Sequence, residues 1–260
     1  MKTVDARSGW TWVTRGFVLF RQRPAELISL FFLWMMLTQL LKFIPFAGQF
    51  LSLLLFPVFS VGLIQACLQV ENEQRITHSL LFIGFKSQNR IALLGSGACR
   101  ILAVFITSLL TDVLADGDIA AFVKIVQTAT GPMDANELQQ AFPFKGILLS
   151  ILIYLPFAMA FWYSVPLIVW QRMSLMKSMF YSFFAILHSW KAFIVYVLGL
   201  YGVMILVSPF ALIFAGLDIY VAALMLAALS FLIFVIAYCS SYPTYTDIFG
   251  KPDEENQPAA

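Results

Sequence analysis

This chain is short of charge, of cysteine and of histidine, and each shortage closes a class of function. Charged residues fill 12% of its 260 positions and hydrophobic residues 61%, against about a quarter and about half in soluble domains. So few charges cannot clothe a water-facing globule of this size. The net charge of +2 is too small to suggest a nucleic-acid partner. The three cysteines, Cys67, Cys99 and Cys239, lie in or beside apolar runs with no metal-ligand spacing. They read as small hydrophobes, not as a disulfide framework. No HExxH, GxSxG, Walker or paired-carboxylate pattern falls on an apolar run. No Asp, Glu or His sits in the middle of one, which argues against a proton or ion relay. The chain is therefore expected to be no enzyme and to hold no cofactor or metal.

What it has is long apolar runs: 25–43, 47–68, 91–114, 146–170, 192–216 and 220–242. Roughly 20 mainly apolar residues cover the ~30 Å hydrocarbon layer of a bilayer. The runs are continuous, whereas a membrane β-barrel would show ~10-residue alternating segments. The expected fold class is all-α, a polytopic transmembrane bundle of six spans forming one domain over residues 1–250. A loop at about 115–145 and a disordered tail at 251–260 lie outside it. The first run is too long for a signal-peptide core and lacks a small-residue cleavage site, so no cleaved leader is expected.

Lys and Arg beside the spans give an orientation. Lys2, Arg7, Arg15, Arg21 and Arg23 precede the first span. Arg75, Lys86 and Arg90 lie between the second and third, Arg172, Lys177 and Lys191 between the fourth and fifth, and Lys251 in the tail. The opposite side offers only Lys42, Lys124 and Lys145, with acids at Asp112, Asp116, Asp118, Asp134 and Glu137. This bias places both termini in the cytoplasm and the 115–145 loop outside.

The three basic segments also carry apolar stripes. Trp10, Val13, Phe17 and Phe20 share one helical face, as do Met176, Met179, Phe183, Leu187 and Trp190. Ser8 and Ser174 are candidate N-caps. Such segments suit helices lying in the headgroup plane. Phe17-x-x-Phe20-Arg21, Phe82-x-x-Phe85-Lys86 and Phe184-x-x-Leu187-His188 align, each just before a span. They suggest three units of interfacial helix, span, span, the kind of repeat common in transporters. Chance matches among apolar segments are the alternative.

Arg15, Arg21, Lys86, Arg100, Lys177 and Lys191 are the candidate lipid-headgroup contacts. Arg100 is the one strong charge well inside a span. It either serves a site or snorkels to the cytoplasmic face. Gly95, Ser96, Gly97 and Ala98 beside it suit close helix approach. Pro57, Pro156, Pro166 and Pro209 are the candidate helix breaks, marking either a broken-helix site or static kinks. His78 and His188 read as interfacial tips, and Asp218 as a turn residue. Short helices are expected at 119–127 and 136–142.

Several strings together resemble a known family. They are Gly9-Trp10-x-Trp12-Val13 with Gly16-Phe17-x-Leu19-Phe20-Arg21, Phe43-Ile44-Pro45-Phe46-x-Gly48, and Phe56-Pro57-x-Phe59-Ser60-Val61-Gly62. Val165-Pro166-Leu167-Ile168, Ser182-Phe183 and Tyr245-x-Asp247-Ile248-Phe249-Gly250 follow. In this order they are similar to proteobacterial inner-membrane proteins catalogued as uncharacterised, and distantly to the membrane domain attached to some glycerophosphodiester phosphodiesterases. The resemblance implies a six-helix inner-membrane bundle and carries no site residue. It implies no phosphodiesterase activity, since the soluble catalytic domain of those enzymes has no counterpart here. Two functions remain open at this stage: a non-enzymatic bundle that organises lipid or scaffolds envelope proteins, and a transporter or channel for a small or amphiphilic solute. The expected partners are membrane lipids, with other membrane proteins or further copies of the chain, and no nucleic acid.

Overall fold

The structure, a computed structural model, describes residues 3–45, 47–128, 141–215 and 219–252. It is 86% helical and has no strand among these residues. The helices are α1 Arg7–Gln22, α2 Pro24–Lys42, α3 Gly48–Glu71, α4 Ile83–Lys86, α5 Arg90–Leu114 and α6 Asp118–Thr128. After them come α7 Phe144–Trp162, α8 Ser164–Trp170, α9 Leu175–His188, α10 Trp190–Ala215 and α11 Ile219–Phe249. Six stretches are long and apolar enough to cross a membrane: α2, α3, α5, α7 with α8, α10 and α11. Asp134, Glu137 and Asp218, and most of the helix expected at 136–142, lie outside the described residues.

Helix α3 is the axis of the bundle. Every residue from Pro57 to Val70 is buried. Around it stand α2, α5, α8, α11 and the short 3-10 turn His78–Phe82 with α4. Close approach depends on small residues, as expected where apolar lipid gives no hydrophobic drive between helices. A Cβ on Gly97 of α5 would lie 2.2 Å from the Leu54 carbonyl oxygen of α3.

Burial is uneven along the helices. At the end where both described termini lie, α8 is wholly buried, and so are most of α11's residues from Cys239 to Tyr245. Toward the other end the helices turn large side chains outward, such as Leu152 and Leu155 on α7 and Leu198 and Ile205 on α10. Helices α7 and α10 do not pack along their lengths. They meet where Trp162 sets its ring on Phe193 and Tyr196 at 5.8 and 6.2 Å.

The three basic segments differ from one another. The middle one is only a 3-10 turn and one helical turn, too short to form a full amphipathic helix. In α1 the packed face is Gly9, Trp12, Val13, Gly16 and Leu19, while Trp10 and Phe17 point outward. In α9 the packed face is Ser178, Ser182, Ala185 and Ile186, while Met176, Leu187 and, just beyond the helix, Trp190 are exposed. The apolar stripes were expected to face the headgroup plane, and their bulky members Trp10, Phe17, Met176 and Leu187 do face the surroundings, while small residues let the backbones approach. Capping differs too. The N-cap of α1 is Ala6, and Ser174 precedes α9 without a capping side-chain bond.

Helix α11 runs to Phe249, seven residues past the expected end at Tyr242, and Pro243 lies inside it. The extension is polar. Its hydroxyls bond back to the helix, Thr244 to the Ser241 carbonyl at 2.6 Å and Thr246 to the Pro243 carbonyl at 3.2 Å. Tyr245 packs its ring 5.0 Å from that of Trp170. Packing against α1 and α8 holds a stretch that hydropathy alone would leave out.

Candidate functional site

The fourth span is broken at Tyr163, where a hydroxyl from another helix enters the ladder and Pro166 follows three residues later. A continuous helix would bond the Tyr163 N–H to the Met159 carbonyl. Instead Tyr163 N–H donates to Ser182 Oγ at 2.9 Å, and Ser182 Oγ donates to Met159 O at 2.7 Å. A side chain inserted into the ladder is a recognised cause of a kink. Ser164 Oγ then donates to the Phe161 carbonyl at 2.9 Å. Pro166 lies inside the fourth span, as expected. It is the third residue of α8, and without an N–H it cannot bond the Trp162 carbonyl, so it helps to keep the span open there.

Arg100 reaches this break. It stands ten residues into α5 from Arg90, about 15 Å along the axis. Its side chain does not run back to the helix end. Nη2 donates to the Phe161 carbonyl at 3.3 Å. The guanidinium lies 4.6 Å from the Phe161 ring centre and 4.9 Å from that of Phe56. Nε is buried with no hydrogen-bond partner. Among the described residues no carboxylate pairs with Arg100. The cost of a centrally placed arginine, roughly 2.5–3.5 kcal/mol on insertion scales, is offset in part by two cation–π contacts of roughly 0.5–2 kcal/mol each.

The guanidinium borders a cavity of about 340 Å³. Its walls come from α3, α5, α7, α8, α10 and α11, with Ser60, Tyr154 and Tyr238 as polar groups and Ala158, Leu200 and Phe234 among the apolar ones. Tyr238 donates to the Ser60 carbonyl at 3.2 Å. A second cavity of about 640 Å³ lies between α5, α6 and α7, lined by Thr107, Thr111, Asp112 and Ser150. Tyr154 borders both cavities.

The other candidate cations do not converge on Arg100. Arg15 pairs with Asp247 at 2.7 Å. Arg21 lies 5.9 Å from the Phe17 ring centre, Lys177 5.9 Å from Tyr181 and Lys191 5.8 Å from Trp190. Lys86 closes α4 and is exposed. These four form an outward basic and aromatic surface. Of the candidate breaks, Pro166 lines the cavity, while Pro57 follows Phe56 and Pro156 lies between Tyr154 and Ala158. Pro209 lies further along α10 and does not reach it.

Two groups escaped the sequence reading. Ser182 was visible only as part of a short string, although its spacing from Ser178 marks a small-residue helix face. Asp247 was an unassigned acid in the closing string; it accepts Trp12 Nε1–H at 2.8 Å as well as Arg15. A third link joins α3 to α8, where Trp170 Nε1–H donates to Gln65 Oε1 at 3.1 Å in the core.

Over 257 residues the chain is 30% identical to a protein of Burkholderia thailandensis described as a probable inner membrane protein, covering 95% of this chain and 93% of that one. No family model and no solved structure matches the chain. Six apolar helices and a relative aligned over almost the whole length lead to one statement: the chain is a multi-pass inner-membrane protein and belongs to the family of that Burkholderia protein.

Proposed function

We propose that this protein is a non-enzymatic bundle that binds and organises anionic lipid, or scaffolds envelope proteins, at the cytoplasmic leaflet. Both termini face the cytoplasm in this reading. The observation that supports it is the outward faces of α1, of the 3-10 turn with α4, of α9 and of the start of α10, where Arg21, Lys86, Lys177 and Lys191 stand among exposed Trp10, Phe17, Phe82, Phe85, Met176 and Trp190. Each Lys or Arg near an anionic leaflet contributes roughly 1 kcal/mol, and aromatic rings prefer the headgroup level. Native mass spectrometry of protein released from mixed vesicles tests the reading. Phosphatidylglycerol should be retained over phosphatidylcholine, and replacing Arg21, Lys86, Lys177 and Lys191 by Gln should erase the preference. Equal retention of the two lipids by the native chain would refute it.

A second reading, a transporter for a small or amphiphilic solute, draws support from the cavity at the broken span beside Pro57, Pro156 and Pro166. Solute counterflow in proteoliposomes, with empty vesicles as the control, decides for or against it.

A further inference from the structure

The cavity beside Arg100 pairs one buried positive charge with an aromatic and aliphatic lining. Guanidinium carries five N–H donors. The Phe161 carbonyl occupies one of them, the Tyr154 hydroxyl accepts another, and Nε has no partner. No protein carboxylate among the described residues neutralises the charge. Tyr154 and Tyr238 bring phenol groups to the same space. Such a site favours an anion with few atoms around the charge, since a planar guanidinium matches carboxylate and phosphate geometry.

The rest of the lining is mainly apolar, with Ser60, Tyr196 and Ser241 the other hydroxyls, and one side is not sealed. Helices α7 and α10 form facing walls through Ala158 and Leu200, yet they touch mainly through Trp162 at the basic end. Beyond that contact Leu155 and Tyr201 are exposed on the two helices. A volume of about 340 Å³ is near the lower end of ligand pockets, roughly 300–1,000 Å³. It holds a head and the first part of a chain, with the remainder lying between α7 and α10.

We infer that this cavity binds an anionic single-chain amphiphile, a fatty acid or lysophosphatidate type, with its carboxylate or phosphate on Arg100 and its chain leaving between α7 and α10. This goes beyond the surface reading, and either can fail alone: the surface uses exposed cations and many lipids, the cavity one buried arginine and one ligand.

The test is binding of palmitate, lysophosphatidate, uncharged monopalmitoylglycerol and inorganic phosphate to the full-length protein in uncharged detergent, followed by native mass spectrometry. One palmitate or lysophosphatidate per chain is expected, at least ten-fold tighter than monopalmitoylglycerol. Inorganic phosphate alone should not bind measurably. Arg100→Gln should lose the ten-fold preference and Arg100→Lys should keep part of it. The charged and uncharged comparison on the native chain needs no variant, so a misfolded variant leaves the test intact. Equal affinity for charged and uncharged chains would overturn the inference, and so would phosphate binding as tightly as lysophosphatidate.

Discussion

Trp12 donates its indole N–H to Asp247 across 235 positions of sequence, at 2.8 Å. The same carboxylate accepts Arg15 at 2.7 Å. Two of the strings that carry the family resemblance, one near each terminus, thus meet in one cluster that fastens α1 to the end of α11. Trp12 is fully buried and sets its ring edge-on to Phe193 and Tyr196.

Breaking this cluster should loosen the ends of the chain together. A hydrogen bond to a charged group contributes about 1.5–3 kcal/mol. Asp247→Asn and Trp12→Phe should each lower thermal stability in detergent, and the double variant should cost clearly less than the sum of the two. A fully additive pair would show that the contact does not hold the two helices.

Glycine at the α1–α11 crossing makes a second expectation. A Cβ on Gly16 would lie 2.3–2.7 Å from Ser240, its backbone included. Gly16→Val should therefore separate the helices and cost several times more than a helix-propensity change. Gly202 of α10 faces open space, with nothing within 4 Å of where a Cβ would stand, so Gly202→Ala should stabilise by about 0.5–1 kcal/mol. Paired melting curves of the two variants check both signs.

The fold was legible in the sequence wherever hydrocarbon alone decides. Runs of apolar residues this long must become spanning helices, because only helices and closed barrels satisfy their own hydrogen bonds in lipid and the runs lack a barrel strand's alternation. Which face of α1 packs was not legible. Trp10, Val13, Phe17 and Phe20 form the obvious apolar stripe, but apolarity does not separate inside from outside when both are apolar. The spacing of Gly9 and Gly16 was the better guide. Arg100 could be found and not oriented, because its carbonyl partner exists only where Ser182 opens α7.

That insertion gives a further expectation. Ser182→Ala removes the hydroxyl between Tyr163 and Met159. The two backbone groups can then bond directly and lessen the bend of the fourth span, even though Pro166 still leaves the Trp162 carbonyl without a partner N–H. A distance measurement between spin labels at Ser150 and Gln171 should lengthen in the variant. An unchanged distance would mean that the break persists without the hydroxyl.

Accessibility of single cysteines in intact cells tests the central claim most directly, that a basic, aromatic surface of a membrane-embedded bundle faces the cytoplasm. In a chain with Cys67, Cys99 and Cys239 replaced, Lys124→Cys on α6 should react with a membrane-impermeant thiol reagent from outside the inner membrane. Lys86→Cys should react only after that membrane is permeabilised. Labelling of Lys86→Cys in sealed cells, with Lys124→Cys protected, would contradict the account.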